Sequence, residues 1–261
     1  MVRLIQITDT HLFADRDGHL LGHPTRSCCE AVFALAREVL PEADALLLTG
    51  DLVHDERAEG YLCLKGYAQA LGLPYYALPG NHDSGTLLAQ WLDPGAAQAV
   101  RSFPVQDWRL VLVDSTSPGR DGGRLGPARL SALDSMLAGC ATSPCLVCLH
   151  HHPVPVGSPW LDAIGLEDGA ALLAVLDRHP QVRGVLWGHI HQAFDGRRGA
   201  IRLMGSPSTC VQFLPGSPVF ALDSVTPGLR WLDLYPDGRI ETGVLRLVAY
   251  PESTDSSRDG D

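Results

Sequence analysis

Five short clusters of metal-binding residue types punctuate this chain, each closing an apolar run. They are Asp9-Thr10-His11, Gly50-Asp51, Gly80-Asn81-His82-Asp83, His150-His151-His152 and Gly188-His189-Ile190-His191. Nitrogen and oxygen donors without cysteine suit a catalytic Mn, Fe, Co or Zn ion better than a closed structural zinc site. Asp9 and His11 are two apart, so an extended strand end would point both to one side and Thr10 to the other. His189 and His191 repeat that spacing, with Ile190 expected to face the core. Asp51 could bridge two cations with its two oxygens, and Asn81 could offer a neutral amide oxygen. Two ions about 3.5–4 Å apart would polarise a phosphoryl group and supply a nucleophile near neutral pH. Each cluster alone is commonly a turn or a core pair. Their joint occurrence at strand ends points to a two-metal hydrolytic centre.

The elements that must position these clusters follow from periodicity. Strands are expected at 2–8, 45–49, 74–79, 108–114, 145–149 and 183–187, and helices at 25–40, 58–71, 84–92, 127–139 and 168–178. From residue 200 the pattern is strands and turns only, at 201–205, 218–223, 229–234 and 239–247. A βαβ-rich half followed by a strand-rich half predicts an α/β fold, with two sheets packed face to face and helices outside. It reads as one domain over 1–250, with a polar, disordered tail at 251–261.

The 261 residues are 45% hydrophobic with a mean hydropathy of +0.04, and no apolar run reaches the length of a membrane span. Met1 leads straight into a strand pattern rather than a secretory leader, so the expected location is cytoplasmic, with no membrane partner. A net charge of −10 argues against nucleic acid as partner. It leaves room for a small anion, because two carboxylates against two divalent ions make the site roughly +2. The seven cysteines read as reduced core thiols. Cys145 and Cys148 should face opposite sides of their strand, which removes them as a metal pair. Gly119 to Arg124 is glycine-rich but lacks the Lys-Ser/Thr of a phosphate loop, and reads as a flexible connection. His19, His23 and His179 read as solvated. Trp160 and Phe213 could each face a substrate or fill the core.

The five clusters together resemble the calcineurin-like metallophosphoesterase superfamily. Longer blocks narrow the likeness: Gln6 to Phe13, His150 to Pro155, Trp160-Leu161-Asp162 and Ser206 to Phe213 are similar to bacterial class III 3′,5′-cyclic AMP phosphodiesterases. The resemblance implies the metallo-dependent phosphatase fold, a four-layer α-β-β-α sandwich of two mixed sheets flanked by helices. It implies one metal held by Asp9, His11, Asp51 and His191, and another held by Asp51, Asn81, His150 and His189, with His151 as reserve for His150. The ions would be divalent or of mixed valence, Fe or Mn first, with Co, Zn or Mg also compatible. His82 matches the family's catalytic histidine, and His11, Asp51, Asn81, His82 and His191 are the implied substrate contacts.

The implied reaction is hydrolysis of cAMP to 5′-AMP, with in-line attack at phosphorus and proton donation from His82 to the departing 3′ oxygen. The competing assignment is a broader phosphodiesterase acting on 2′,3′-cyclic nucleotides, glycerophosphodiesters or small monoesters. A non-catalytic metal-binding scaffold is a further alternative. The oligomeric state stays open, with a dimer as one candidate. One departure stands out: many superfamily phosphatases carry an aspartate three residues after the bridging one, where this chain has His54. Asp55 and Asp83 are then the candidates for orienting His82.

Overall fold

A computed structural model describes residues 1–251, so the tail expected at 251–261 lies, beyond Pro251, outside the described residues. The first half runs β1 (Val2–Ile7), α1 (Thr25–Val39), β2 (Ala45–Thr49), α2 (Ala58–Ala70), β3 (Tyr75–Leu78) and α3 (Gly85–Trp91). It continues through β4 (Val100–Val105), β5 (Trp108–Val113), α4 (Gly126–Ala138), β6 (Cys145–Cys148), a short α5 (Pro159–Asp162) and α6 (Gly169–Leu176). The remainder is β7 (Val182–Trp187), β8 (Phe194–Arg198), β9 (Ile201–Gly205), β10 (Gly228–Leu234) and β11 (Ile240–Arg246).

Two mixed sheets result. One has the order β11-β10-β1-β2-β3, the other β8-β9-β7-β6-β5-β4. Alternation along each strand divides the apolar residues between two faces. Leu4, Leu47, Leu110, Leu146 and Leu186 meet between the sheets. Ile5, Ile7, Leu46 and Leu48 turn instead to Val32 and Phe33 of α1 and Leu64 of α2. Val111, Val147 and Val185 turn to Leu133 of α4 and Leu172 of α6. The layers are therefore α-β-β-α, as the resemblance implied. Cys145 packs under the helices and Cys148 between the sheets, which bears out their opposite orientation.

Several details differ from expectation. Strand β4 carries Arg101 and Pro104 in its sequence, which hid an edge strand paired with β5. The strand expected at 218–223 shrinks to Leu222–Asp223, paired with Gln212–Phe213. His179 is not solvated, because its Nε2 lies 2.7 Å from Asp134 Oδ1 and its side chain is largely covered.

Candidate metal centre

Strands β1, β2 and β3 run parallel in one sheet, and β6 and β7 in the other, so their carboxyl ends share one edge of the sandwich. Ligand sites in open α/β sheets form beyond such ends. Asp9 and His11 follow β1, Asp51 follows β2, Asn81 and His82 follow β3, His150 follows β6, and His189 and His191 follow β7.

The clusters do not converge by extended geometry. Asp9, His11, Asp51, His189 and His191 all have positive φ, at 54°, 43°, 52°, 66° and 47°, and they are five of only eight such non-glycine residues described. Left-handed backbone at these residue types is costly and is held in place by its surroundings. Here the Asp9 N–H donates to Gly50 O at 2.9 Å and the His11 N–H to Asp51 O at 2.9 Å. The His189 N–H reaches Asp9 Oδ1 at 3.0 Å. Each ligand turn is thus pinned by its neighbour. Gly80 lets Asn81 approach, because a Cβ there would overlap the Asp51 carboxylate and backbone.

The donor atoms form two foci. In the first, His191 Nε2 lies 3.3 Å from Asp9 Oδ1 and 3.3 Å from His11 Nε2. In the second, His150 Nε2 lies 3.3 Å from Asp51 Oδ2. The same Asp51 Oδ2 is 3.8 Å from His11 Nε2, so one oxygen faces both foci. The other, Oδ1, accepts the His82 backbone N–H at 2.9 Å. Asp51 Oδ2 therefore lies between the two foci, while Oδ1 is engaged by the His82 backbone.

Protonation at the site follows burial first. It pushes the His11 and His189 imidazoles well down. Burial would raise the Asp51 carboxyl, but His150 and then His11 outweigh it and hold it well below the usual range. Burial would likewise lower His150, but Asp51 raises it to about 9. Neutral imidazoles and ionised carboxylates are the forms a cation needs. Two buried atoms without a hydrogen-bond partner, Asn81 Oδ1 and His150 Nε2, complete the donor set. The Asn81 oxygen, and His150 Nε2 once its proton is displaced, fit divalent cations.

Within the His triplet the geometry distinguishes the roles. His150 donates Nδ1–H to Thr49 O at 2.8 Å, leaving Nε2 for the centre. His151 has Nδ1 at 2.8 Å from Ser115 Oγ and Nε2 at 3.0 Å from Asp121 O, so neither nitrogen is free to coordinate. His152 stacks on His189, with ring centroids 5.7 Å apart.

Neither acid expected to orient His82 does so. Asp83 accepts from the Leu52, Val53 and Gly80 N–H groups and from Tyr61 Oη, and so ties the β2 and β3 turns together. Burial and then Asp51 raise its carboxyl to about 6, against the lowering effect of those donors. Asp55 accepts from Ala14 N–H at 2.9 Å. The His82 ring lies instead on His54, with centroids 4.7 Å apart and planes 23° apart.

Beside the foci opens a cleft of about 260 Å³, lined by His82, Trp160, Phe213 and, unforeseen from sequence, Leu20 and Leu21. Phe213 packs on the core edge, stacks on His191 with ring centroids 4.2 Å apart, and lines the cleft. The 119–124 stretch is not a free connection. Gly123 and Gly165 pair through backbone, and Asp121 O holds His151.

Comparison with known proteins agrees with this fold. Residues 2–193 match the family model described as calcineurin-like phosphoesterase. The chain is 42% identical over 94% of its length, and 90% of the relative's, to a 3′,5′-cyclic adenosine monophosphate phosphodiesterase CpdA of Pseudomonas aeruginosa. It is 38% identical to the CpdA of Escherichia coli (strain K12), covering 99% of this chain and 94% of that one. Among solved structures, a dimetal phosphatase from Danio rerio shares the fold with a TM-score of 0.65 at 16% identity, over 96% of this chain and 99% of that one. With its sheet edge, its paired donor foci and these matches, the chain belongs to the calcineurin-like phosphoesterase family.

Proposed function

We propose that this protein hydrolyses 3′,5′-cyclic AMP to 5′-AMP at a two-metal centre. The choice of substrate is carried by the 42% identity, over 94% of the chain, to a relative named for that activity. The aromatic cleft wall of Trp160 and Phe213 suits a flat base next to a phosphate held at the foci.

One ion would be held by Asp9, His11, Asp51 and His191, and the other by Asp51, Asn81, His150 and His189. Mixed nitrogen and oxygen donors suit Mn, Fe, Co or Zn, and the family resemblance puts Fe or Mn first. When bound, the pair supplies Lewis-acid polarisation of the phosphoryl group and a nucleophile near neutral pH. The chain's own groups do the rest. His11, Asp51, Asn81 and His191 line the phosphate position, and the Asn81 amide can donate to a phosphoryl oxygen. His82 sits at the cleft, where its ring can give a proton to the 3′ oxygen as the P–O bond breaks. Ligands from both sheets make the whole 1–250 span one functional domain.

The test is a substrate panel on protein reconstituted with Mn²⁺ or Fe²⁺. It comprises 3′,5′-cAMP, 3′,5′-cGMP, 2′,3′-cAMP, a glycerophosphodiester and a phosphomonoester. The expected result is fastest turnover of 3′,5′-cAMP with 5′-AMP as sole product. Hydrolysis of cAMP no faster than the non-nucleotide esters would reduce the assignment to a general phosphodiesterase.

A further inference from the structure

Each of the four histidines in the proposed ligand set has one ring nitrogen held by a partner outside the foci. Three of these nitrogens meet backbone carbonyls: His150 Nδ1 at Thr49 O (2.8 Å), His191 Nδ1 at Val211 O (2.8 Å) and His189 Nε2 at Ile164 O (3.1 Å). No side-chain substitution can remove those acceptors. His11 is the exception, because its Nδ1 lies 3.1 Å from Nδ1 of His54. Two nitrogens at that distance must be one donor and one acceptor. With Nε2 of His11 turned to the foci, its Nδ1 carries the hydrogen, and His54 accepts it as the Nε2–H tautomer.

The other surface of His54 is also in use. His82 stacks on it, and His82 makes no side-chain hydrogen bond to another protein group among the described residues. His54 is itself fixed, by its N–H to Leu12 O at 2.9 Å and by the Phe13 ring 4.9 Å away. Phe13 thus packs at a tilt against His54, and His54 stacks on His82 at the cleft.

We propose that His54 is a positioning residue with two separable tasks: its Nδ1 orients the ligand His11, and its ring face orients the proton donor His82. This rests on the two-metal reading of the site. A partner that fixes a metal-bound imidazole commonly contributes 10–100-fold in metal affinity or activity. The two tasks call for different substitutions. In His54→Asn, Oδ1 takes the place of Nδ1, keeping the acceptor and removing the ring. In His54→Phe the ring stays and the acceptor goes.

Metal-free protein is titrated with Mn²⁺ by calorimetry, and turnover is compared on cAMP and on bis(p-nitrophenyl) phosphate. The phenolate leaving group of the second ester needs no proton, so the proton supplied by His82 matters for cAMP turnover and not for that ester. His54→Phe should lose roughly 10–100-fold in affinity for one of two Mn²⁺ ions. His54→Asn should bind both ions about as wild type does, and should lose on the order of tenfold more kcat on cAMP than on the nitrophenyl ester. Wild-type Mn²⁺ affinity in His54→Phe would overturn the first task. Equal effects of His54→Asn on both esters would overturn the second. His11, His54 and His82 also lie close enough to ligate an ion themselves. A third Mn²⁺ in wild type, lost in both variants, would make His54 a ligand and refute the proposal. Should wild type cleave the nitrophenyl ester but not cAMP, the substrate assignment would fail while the Mn²⁺ titrations still decide the first task.

Discussion

His150 Nε2 stands 3.3 Å from Asp51 Oδ2, with both side chains buried and no better-directed partner on that nitrogen. Without a cation, the pair is a protonated imidazole against a carboxylate, the His150 imidazole being raised to about 9 by Asp51 against the opposing effect of burial.

Loading the site must therefore displace the His150 proton. Below about pH 9 the metal-free site binds that proton, so apparent metal affinity should climb up to tenfold per pH unit and level off above it. Calorimetry at pH 7 in buffers of different ionisation enthalpy should report about one proton released from this pair. Affinity independent of pH between 6.5 and 8.5 would contradict it.

Asp51→Asn removes the one charged oxygen shared by the foci. Metal content should fall below two ions per chain, and kcat should fall beyond the roughly 100-fold typical of outer partners. Elemental analysis beside activity measures both. Two ions retained at wild-type affinity would remove Asp51 as the bridge.

Asp83 acts through the fold rather than the reaction. Asp83→Ala strands four donors, those of Leu52, Val53, Gly80 and Tyr61, at a cost on the order of 3 kcal/mol. Tyr61→Phe loses one of these bonds and the Ser84 N–H bond to Tyr61 Oη, and should cost about 2 kcal/mol. Urea unfolding of metal-free protein would rank the two, and an Asp83 variant as stable as wild type would refute this role.

Trp160→Ala should weaken cAMP more than a small ester. Stacking on a base contributes roughly 1–3 kcal/mol, so KM for cAMP should rise about tenfold or more with KM for bis(p-nitrophenyl) phosphate little changed. Parallel shifts for both substrates would place Trp160 in the core instead.

The clusters that gather at the site were legible in the sequence because each is local, closing a run whose strand character is also local. The geometry that joins the clusters was not. The left-handed turns at Asp9, His11 and Asp51 are held by hydrogen bonds between segments about forty residues apart, to which no residue type within the motif points. The acceptors of His189 and His191 are carbonyls of Ile164 and Val211, and any residue supplies a carbonyl. His54 could be seen to depart from the family's pattern, but its stack on His82 depends on how two strand ends sit side by side. Edge strand β8, Phe194–Arg198, was missed because its Asp and Arg residues face solvent and break the apolar pattern.

The foci draw Asp9, His11, Asp51 and Asn81 from one sheet and His150, His189 and His191 from the other. Bound ions would therefore act as rivets across the mouth of the sandwich. A motion that spread the sheets there would pull Asp51 from His150 and reach the reaction centre directly. Occupancy then reports on mechanical closure as well as catalytic competence, and the loaded protein should resist opening at this edge first.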